Sequence, residues 1–301
     1  MNLFIAAIIK DEHSGLLEWI AYHRVLGVQG FIIADNSSRD GSRELLGALA
    51  RLGLVTVLDH PTVAEQKPQL PAYERILRSS PTAVDLLAFI DADEFLLPTS
   101  PEQSLTDFIA SRFDDESVSA LALNWANFGS SGELFAEDGL VTERFTKRAP
   151  QPFNVHHNFK SVVRPQRVKR FHNPHYAELR YGRYIDAKGN DLILHPKHGN
   201  GVSAEVLWHG VRVNHYAVKS LEEFLLGKHL RGSAATVNRV KHKAYFRAHD
   251  RNDEICLLAA ALAPRVKAEM VALSERLATL PVDETPSGRS WLGTRMKKWM
   301  G

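Results

Sequence analysis

Three carboxylates follow one apolar run: Leu86-Leu87-Ala88-Phe89-Ile90 leads straight into Asp91-Ala92-Asp93-Glu94. If the run is a strand, these acids sit at the carboxyl end of a parallel strand, where open α/β sheets bind ligands. Alternation would aim Asp91 and Asp93 the same way, and two carboxylates a few ångströms apart repel unless a cation or a proton intervenes. A hard divalent ion held by such acids and completed by substrate phosphates fits the arrangement. An acidic triplet alone reads more readily as a solvated turn. Its company matters: Asp35 ends a second apolar run, Gly30 to Ala34, and opens the turn Asp35-Asn36-Ser37-Ser38-Arg39-Asp40-Gly41. By itself Asp35 is a helix cap, but two acidic strand ends together describe a nucleotide-diphosphate pocket.

The elements that must place these acids follow from periodicity. Strands are predicted at Leu3 to Ile9, Gly30 to Ala34, Leu54 to Leu58 and Asp85 to Ile90. Helices fall between them: one from about Ser14 to Gly27, one carrying Leu45, Leu49 and Leu52, and one around Tyr73 to Leu77. This alternation gives a mostly parallel sheet covered by helices. After Pro98 come a helix near Ser104 to Arg112, a strand at Ser119 to Leu123, and a polar stretch from Asn124 to about His215. That stretch holds eight of the fourteen histidines and reads as loops walling a site, not as a second core. Helical periodicity returns at Leu221 to Leu230 and at Ile255 to Leu280.

Composition excludes several classes. Lys and Arg number 37 against 35 Asp and Glu, a net charge of +2, so no strong field draws the chain to nucleic acid. The lone Cys256 cannot close an intrachain disulfide, which suits a reducing compartment. The apolar run at Leu3 to Ile9 has no basic region before it and no cleavage site after it, so it reads as a buried strand and the expected location is cytoplasmic. No run approaches the ~20 apolar residues of a membrane span. The phosphate loop, the dinucleotide GxGxxG, HExxH and GxSxG are all missing.

In order and spacing, several segments together resemble the GT-A glycosyltransferases of the family 2-like and family 92 type. They are Asn2 to Glu12, Glu18-Trp19-Ile20-Ala21-Tyr22-His23, Asp35 to Gly41, Phe89 to Phe95, Asn124 to Gly132, Lys160 to Pro165 and Asn214 to Ser220. The likeness covers roughly residues 2 to 255. It implies an α/β GT-A (Rossmann-like) fold: a mostly parallel central sheet with flanking helices, a loop-rich acceptor region and C-terminal helices. Residues 1–255 would be the transferase domain, with 1–98 binding the nucleotide-sugar and 99–255 forming the acceptor half; 256–301 would be a helical extension and basic tail.

The implied reaction moves a hexose from a nucleotide-diphosphate donor, a UDP-sugar, to a glycan or lipid-linked hydroxyl with inversion, as in polysaccharide biosynthesis. By position the metal ligands for Mn²⁺ or Mg²⁺ would be Asp91, Asp93 and His215, and the donor would meet Asp35, Asp91, Lys160 and Arg164. The general base stays open among Glu94, Asp250, Asp253 and Glu254. Two rival readings are a metal-dependent hydrolase of a sugar nucleotide or phosphoester and a non-catalytic carbohydrate- or nucleotide-binding protein.

Trp125, Phe128, Tyr176 and Trp208 are candidates for stacking on a sugar. The pairs His156-His157 and His172/His175 lack the cysteines or helical frame of a zinc site. The stretch Ser287 to Gly301 carries Arg289, Arg295, Lys297 and Lys298 among Trp291, Leu292, Met296, Trp299 and Met300. That composition suits peripheral contact with an anionic membrane, the inner face if the protein is cytoplasmic.

Overall fold

The computed structural model describes residues 1–62, 67–231 and 241–281, so the basic tail from Ser287 lies outside the described residues. The first part alternates as the periodicity implies: β1 (Leu3–Ile9), α1 (His13–Val25), β2 (Gly30–Asp35), α2 (Ser42–Arg51), β3 (Val55–Asp59), α3 (Gln69–Ser79) and β4 (Leu86–Phe89). β1 pairs in parallel with β2 and with β4, and β2 with β3. Every residue of β2 and β4 is buried, because helices cover both faces of a parallel sheet and leave no polar side for alternation to mark.

Beyond β4 come β5 (Glu94–Pro98), α4 (Leu105–Arg112), β6 (Val118–Asn127), α5 (Val141–Arg144), β7 (Lys147–Arg148), β8 (Phe159–Val163), β9 (Val168–Asn173) and β10 (Tyr176–Leu179). They are followed by β11 (Arg183–Ile185), β12 (Leu194–His195), β13 (Gly199–Ser203), β14 (Val211–His215), α6 (Leu221–Leu226), α7 (Lys228–Arg231), α8 (Lys243–His249), β15 (Glu254–Ile255) and α9 (Ala263–Ala278).

The main sheet runs β3-β2-β1-β4-β8-β6-β14-β5, with β11 on β6. The segment from Asn124 to His215 is therefore not a wall of loops, because β8 and β14 are interior strands of the main sheet. Their buried positions include Lys160 and Arg212, whose polar letters hide the strands from a hydropathy pattern. The expected helix from Ile255 is also later and shorter: β15 comes first, paired with β7.

Hydrophobic clusters fill both faces of the sheet. On one, Trp19 and Ile20 of α1 pack with Val266, Met270 and Leu273 of α9, so α9 belongs to the main core. On the other, Tyr73 and Ile76 of α3 meet Phe89 and Phe171. No helix among the described residues is long and apolar enough to cross a membrane.

Strand direction gathers the polar groups at one edge. Asp35, Asn127 and His215 end β2, β6 and β14, and β14 lies parallel to β6 with His215 opposite Asn127. β8 and β5 run the other way, so Lys160 near the start of β8 and Glu94 at the start of β5 arrive at the same edge.

Candidate active site

The acidic segment is a turn, not the end of a strand. Ile90 still donates to the Ala6 carbonyl at 3.1 Å, but the Glu94 amide then donates back to the Asp91 carbonyl at 3.0 Å. The Glu94 carboxylate accepts from the Asp91 amide at 2.9 Å. The chain thus reverses within four residues, and strand alternation no longer aims Asp91 and Asp93 alike.

Helix α1 fixes the exit of this turn. The Trp19 indole donates to the Glu94 carbonyl at 2.8 Å. His23 Nε2 accepts from the Leu96 amide at 3.1 Å while Nδ1 donates to the Trp19 carbonyl at 2.8 Å. Both ring nitrogens are committed to the neutral imidazole, and burial lowers the His23 pKa to about 3. Glu18 accepts from the Val141 and Thr142 amides and holds α5. The Glu18-to-His23 motif is therefore a clamp that positions Glu94.

Asp91 and Asp93 have different partners. Lys160 donates to Asp91 Oδ2 at 2.8 Å and lies 3.3 Å from Glu94 Oε2, while Gln69 donates to Asp91 Oδ1 at 2.9 Å. Both Asp91 oxygens are thus engaged by the chain. Burial raises the Asp91 pKa, but Lys160 outweighs it and the net shift is downward. Asp93 instead pairs with Lys228, and its Oδ2 lies 3.6 Å from His215 Nε2. Burial opposes its charge as well, yet Lys228 and then His215 hold the Asp93 pKa well below the usual carboxylate range.

Among the described residues, the group able to hold a metal ion is Asp93, Glu94 and His215, which offer ligand atoms within 4.8 Å of one another. Asp91, an expected ligand, is not in it, because the turn carries Asp91 toward Lys160. Glu94 Oε1 and His215 Nδ1 are buried and have no hydrogen-bond partner among the described residues. Such orphaned atoms beside an ionised Asp93 are what a divalent ion would satisfy, so the donor set fits Mn²⁺ or Mg²⁺. Without one, burial pushes the Glu94 pKa up to about 8, and burial lowers that of His215.

Asp35 ends β2 at the same edge of the sheet, 1% exposed. Its Oδ1 accepts from the Ser38 amide at 3.3 Å, while Oδ2 has no hydrogen-bond partner among the described residues and lies 4.0 Å from Arg43. The Asp11 amide donates to Ser38 Oγ and the Arg39 amide to Asp11 Oδ1, lacing the loops after β1 and β2 into one rim.

Other candidates lie elsewhere. Arg164 is at the opposite end of the sheet from Asp91: β8 is antiparallel to β4, with Ser161 opposite Phe89 and Val163 opposite Leu87. There its guanidinium donates to the Phe113 and Val118 carbonyls. Asp253 pairs with Arg251, and the exposed Glu254 with Arg148. Asp250 accepts from the Ser130 amide at 2.7 Å, one residue after His249, whose carbonyl accepts from Asn127 at 2.7 Å.

Of the four aromatics, only Trp125 reaches the site, its ring 4.3 Å from that of His215. Phe128 packs on Tyr216, Tyr176 stacks on Tyr184, and Trp208 lies between Arg148 and Arg212. His156 and His175 donate Nδ1 to the carbonyls of Gln151 and Phe159, and neither joins a metal-holding group among the described residues. Lys228, thirteen residues past His215, had no local motif to mark it.

The family model described as glycosyltransferase family 92 matches residues 8–206. A family 92 protein of Ricinus communis is 29% identical over 205 residues, covering 64% of this chain and 34% of that protein. One from Oryza sativa subsp. japonica is 28% identical over 208 residues, covering 65% and 33%. The chain spans about a third of the length of these curated relatives. Among solved structures, S. aureus TarS 1-349 in complex with UDP is similar with a TM-score of 0.37 and 12% identity, covering 55% of this chain and 47% of that one. Glucosyl-3-phosphoglycerate synthase from Mycobacterium tuberculosis, with Mn²⁺, UDP-glucose and phosphoglyceric acid, has a TM-score of 0.31 and 14% identity, covering 56% and 57%.

Proposed function

The chain belongs to glycosyltransferase family 92, and on that premise we propose that it moves a hexose from a UDP-sugar to a hydroxyl of a glycan or lipid-linked acceptor, with inversion. The observation that carries this reading is the Asp93, Glu94 and His215 cluster, in which Glu94 Oε1 and His215 Nδ1 are buried and without a hydrogen-bond partner among the described residues, at the edge where the strand ends meet. Those three residues would hold Mn²⁺ or Mg²⁺. When bound, the ion supplies positive charge against the diphosphate that leaves with the nucleotide.

The chain's own groups take the remaining roles. Asp35 Oδ2, covered and without a hydrogen bond among the described residues, accepts from a nucleoside hydroxyl or base. Asp91 and Lys160 keep the turn folded so that Asp93 and Glu94 face His215. Trp125 offers a ring edge and an indole N–H, unpartnered among the described residues, to a sugar. Of the four general-base candidates, Glu94 is taken up in the metal-holding cluster; of the other three, Asp250 is the one tied to that cluster, through His249 and Asn127, and without an arginine partner among the described residues.

Residues 1–255 act as the transferase domain, with 1–98 serving the donor and 99–255 the acceptor. Residues 256–301 form an extension whose α9 is built into the shared core. The basic tail attaches a cytoplasmic enzyme to the inner face of an anionic membrane, where lipid-linked acceptors lie.

Titration calorimetry with UDP tests the central reading: binding is expected with Mn²⁺ and lost with chelator. Equal UDP binding in the presence and absence of chelator would overturn the metal-dependent reading. Truncation after Thr285 should spare turnover of a soluble acceptor and reduce co-sedimentation with anionic vesicles. Unchanged sedimentation refutes the role given to the tail.

A further inference from the structure

We propose that Lys228 is a displaceable internal cation, which holds Asp93 until a divalent ion enters the Asp93, Glu94 and His215 cluster and then binds the diphosphate of the donor. The inference deepens the reading above and rests on it. Lys228 Nζ contacts Asp93 Oδ2, the oxygen that faces His215 Nε2 at 3.6 Å. It also donates to the Ala217 carbonyl at 2.7 Å, two residues past His215. The ammonium therefore stands where an ion shared by Asp93 and His215 would draw its charge. Two cations cannot keep the same carboxylate oxygen at contact distance, since like charges repel strongly in a poorly solvated site.

Architecture makes this lysine the one to give way. Lys160, which also reaches the acidic turn, is 1% exposed, lies on an interior strand and serves two acids at once. The Lys228 side chain is 16% exposed and lies on the four-residue α7, separated from α6 by Gly227. Its four-carbon stem can swing without moving a strand.

The partners then change in order. Before the ion arrives, Lys228 balances Asp93 while Lys160 serves Asp91 and Glu94. Afterwards Lys228 is a cation without a carboxylate, tethered beside the place where a diphosphate would meet the ion. An ammonium on a flexible stem is a suitable point charge for phosphate oxygens.

Direct Mn²⁺ binding to the full chain, followed by electron paramagnetic resonance without nucleotide, tests the exchange. Lys228→Met is expected to bind Mn²⁺ roughly tenfold more tightly than wild type, and UDP at saturating Mn²⁺ roughly tenfold more weakly, each about 1.4 kcal/mol. Equal Mn²⁺ affinity in the two proteins rejects the competition, and equal UDP affinity rejects the phosphate role.

Wild type supplies a second measurement should the variant fail to fold. Acetylation of Lys228, mapped by mass spectrometry, should be slow in the free protein, faster with Mn²⁺ and slow again with Mn²⁺ and UDP. A labelling rate indifferent to Mn²⁺ overturns the inference. If wild type binds neither Mn²⁺ nor UDP, the transferase reading fails and takes this one with it.

Discussion

Two lysines on different kinds of support meet one acidic turn. Lys160 comes from the middle of the sheet, with β4 and β6 flanking its strand, and is held by Asp91 and Glu94 together. Lys228 comes from a short helix at the rim and is held by Asp93 and the Ala217 carbonyl. A cation carried by an interior strand is part of the fold, because removing it strands charge where water cannot follow. A cation carried by a short helix can be exchanged, because solvent and a flexible stem are available to it.

The comparison breaks first, and most visibly, on stability. Lys160→Met leaves Asp91 and Glu94 without their cation and is expected to cost about 3–5 kcal/mol, the usual penalty for removing one partner of a buried pair. Lys228→Met should cost less than half as much. Urea denaturation of both variants measures this, and equal losses would erase the distinction between the two supports.

Binding sharpens it next. Asp93→Asn should weaken Mn²⁺-dependent UDP binding by about 100-fold, since even losing a partner outside the ligand set costs 10–100-fold in metal affinity. Asp91→Asn should weaken it far less, because Asp91 is engaged with Lys160 and Gln69. Calorimetry that ranks the two variants the other way would return Asp91 to the ligand set.

Acid separates the scaffold from the site. His156 accepts from the Asn127 amide through Nε2, and burial holds its pKa down at about 4. An unfolded imidazole titrates near ~6.5, so the native state binds fewer protons than the unfolded one between those values. Stability is then fully present above about pH 6.5 and falls as the pH drops toward 4, by up to ~1.4 kcal/mol per unit for this residue. His156→Gln should flatten that slope in denaturation experiments at stepped pH. An unaltered slope would mean that His156 is not neutral in the fold.

The smallest expected effect belongs to Arg164. Losing its hydrogen bonds to the Phe113 and Val118 carbonyls should cost Arg164→Met about 1–3 kcal/mol, with UDP binding unchanged. A clear fall in UDP affinity would place this arginine at the donor after all.

Periodicity and residue type were enough for β1 to β4 and for Asp35 at the end of β2. These depend on local chemistry: buried strands are apolar, and acids that must meet a cation collect where strands stop. The Asn124–His215 stretch was less legible. Its strands bury Lys160 and Arg212, and a polar residue satisfied by a distant partner looks the same in one dimension as a solvated one.

Strand direction was equally hidden. Lys160 and Arg164 are four residues apart in sequence, yet the antiparallel course of β8 sends one to the acidic turn and the other to the far end of the sheet. The sequence by itself thus determined an α/β sheet and a run of acids directly after one of its strands. Only the tertiary structure decided which acid faces which cation. The turn from Asp91 to Glu94 separates neighbours in the chain, while β14 and α7 deliver His215 and Lys228 to Asp93 across more than a hundred residues. Proximity of that kind comes from closing the sheet, and no local pattern encodes it.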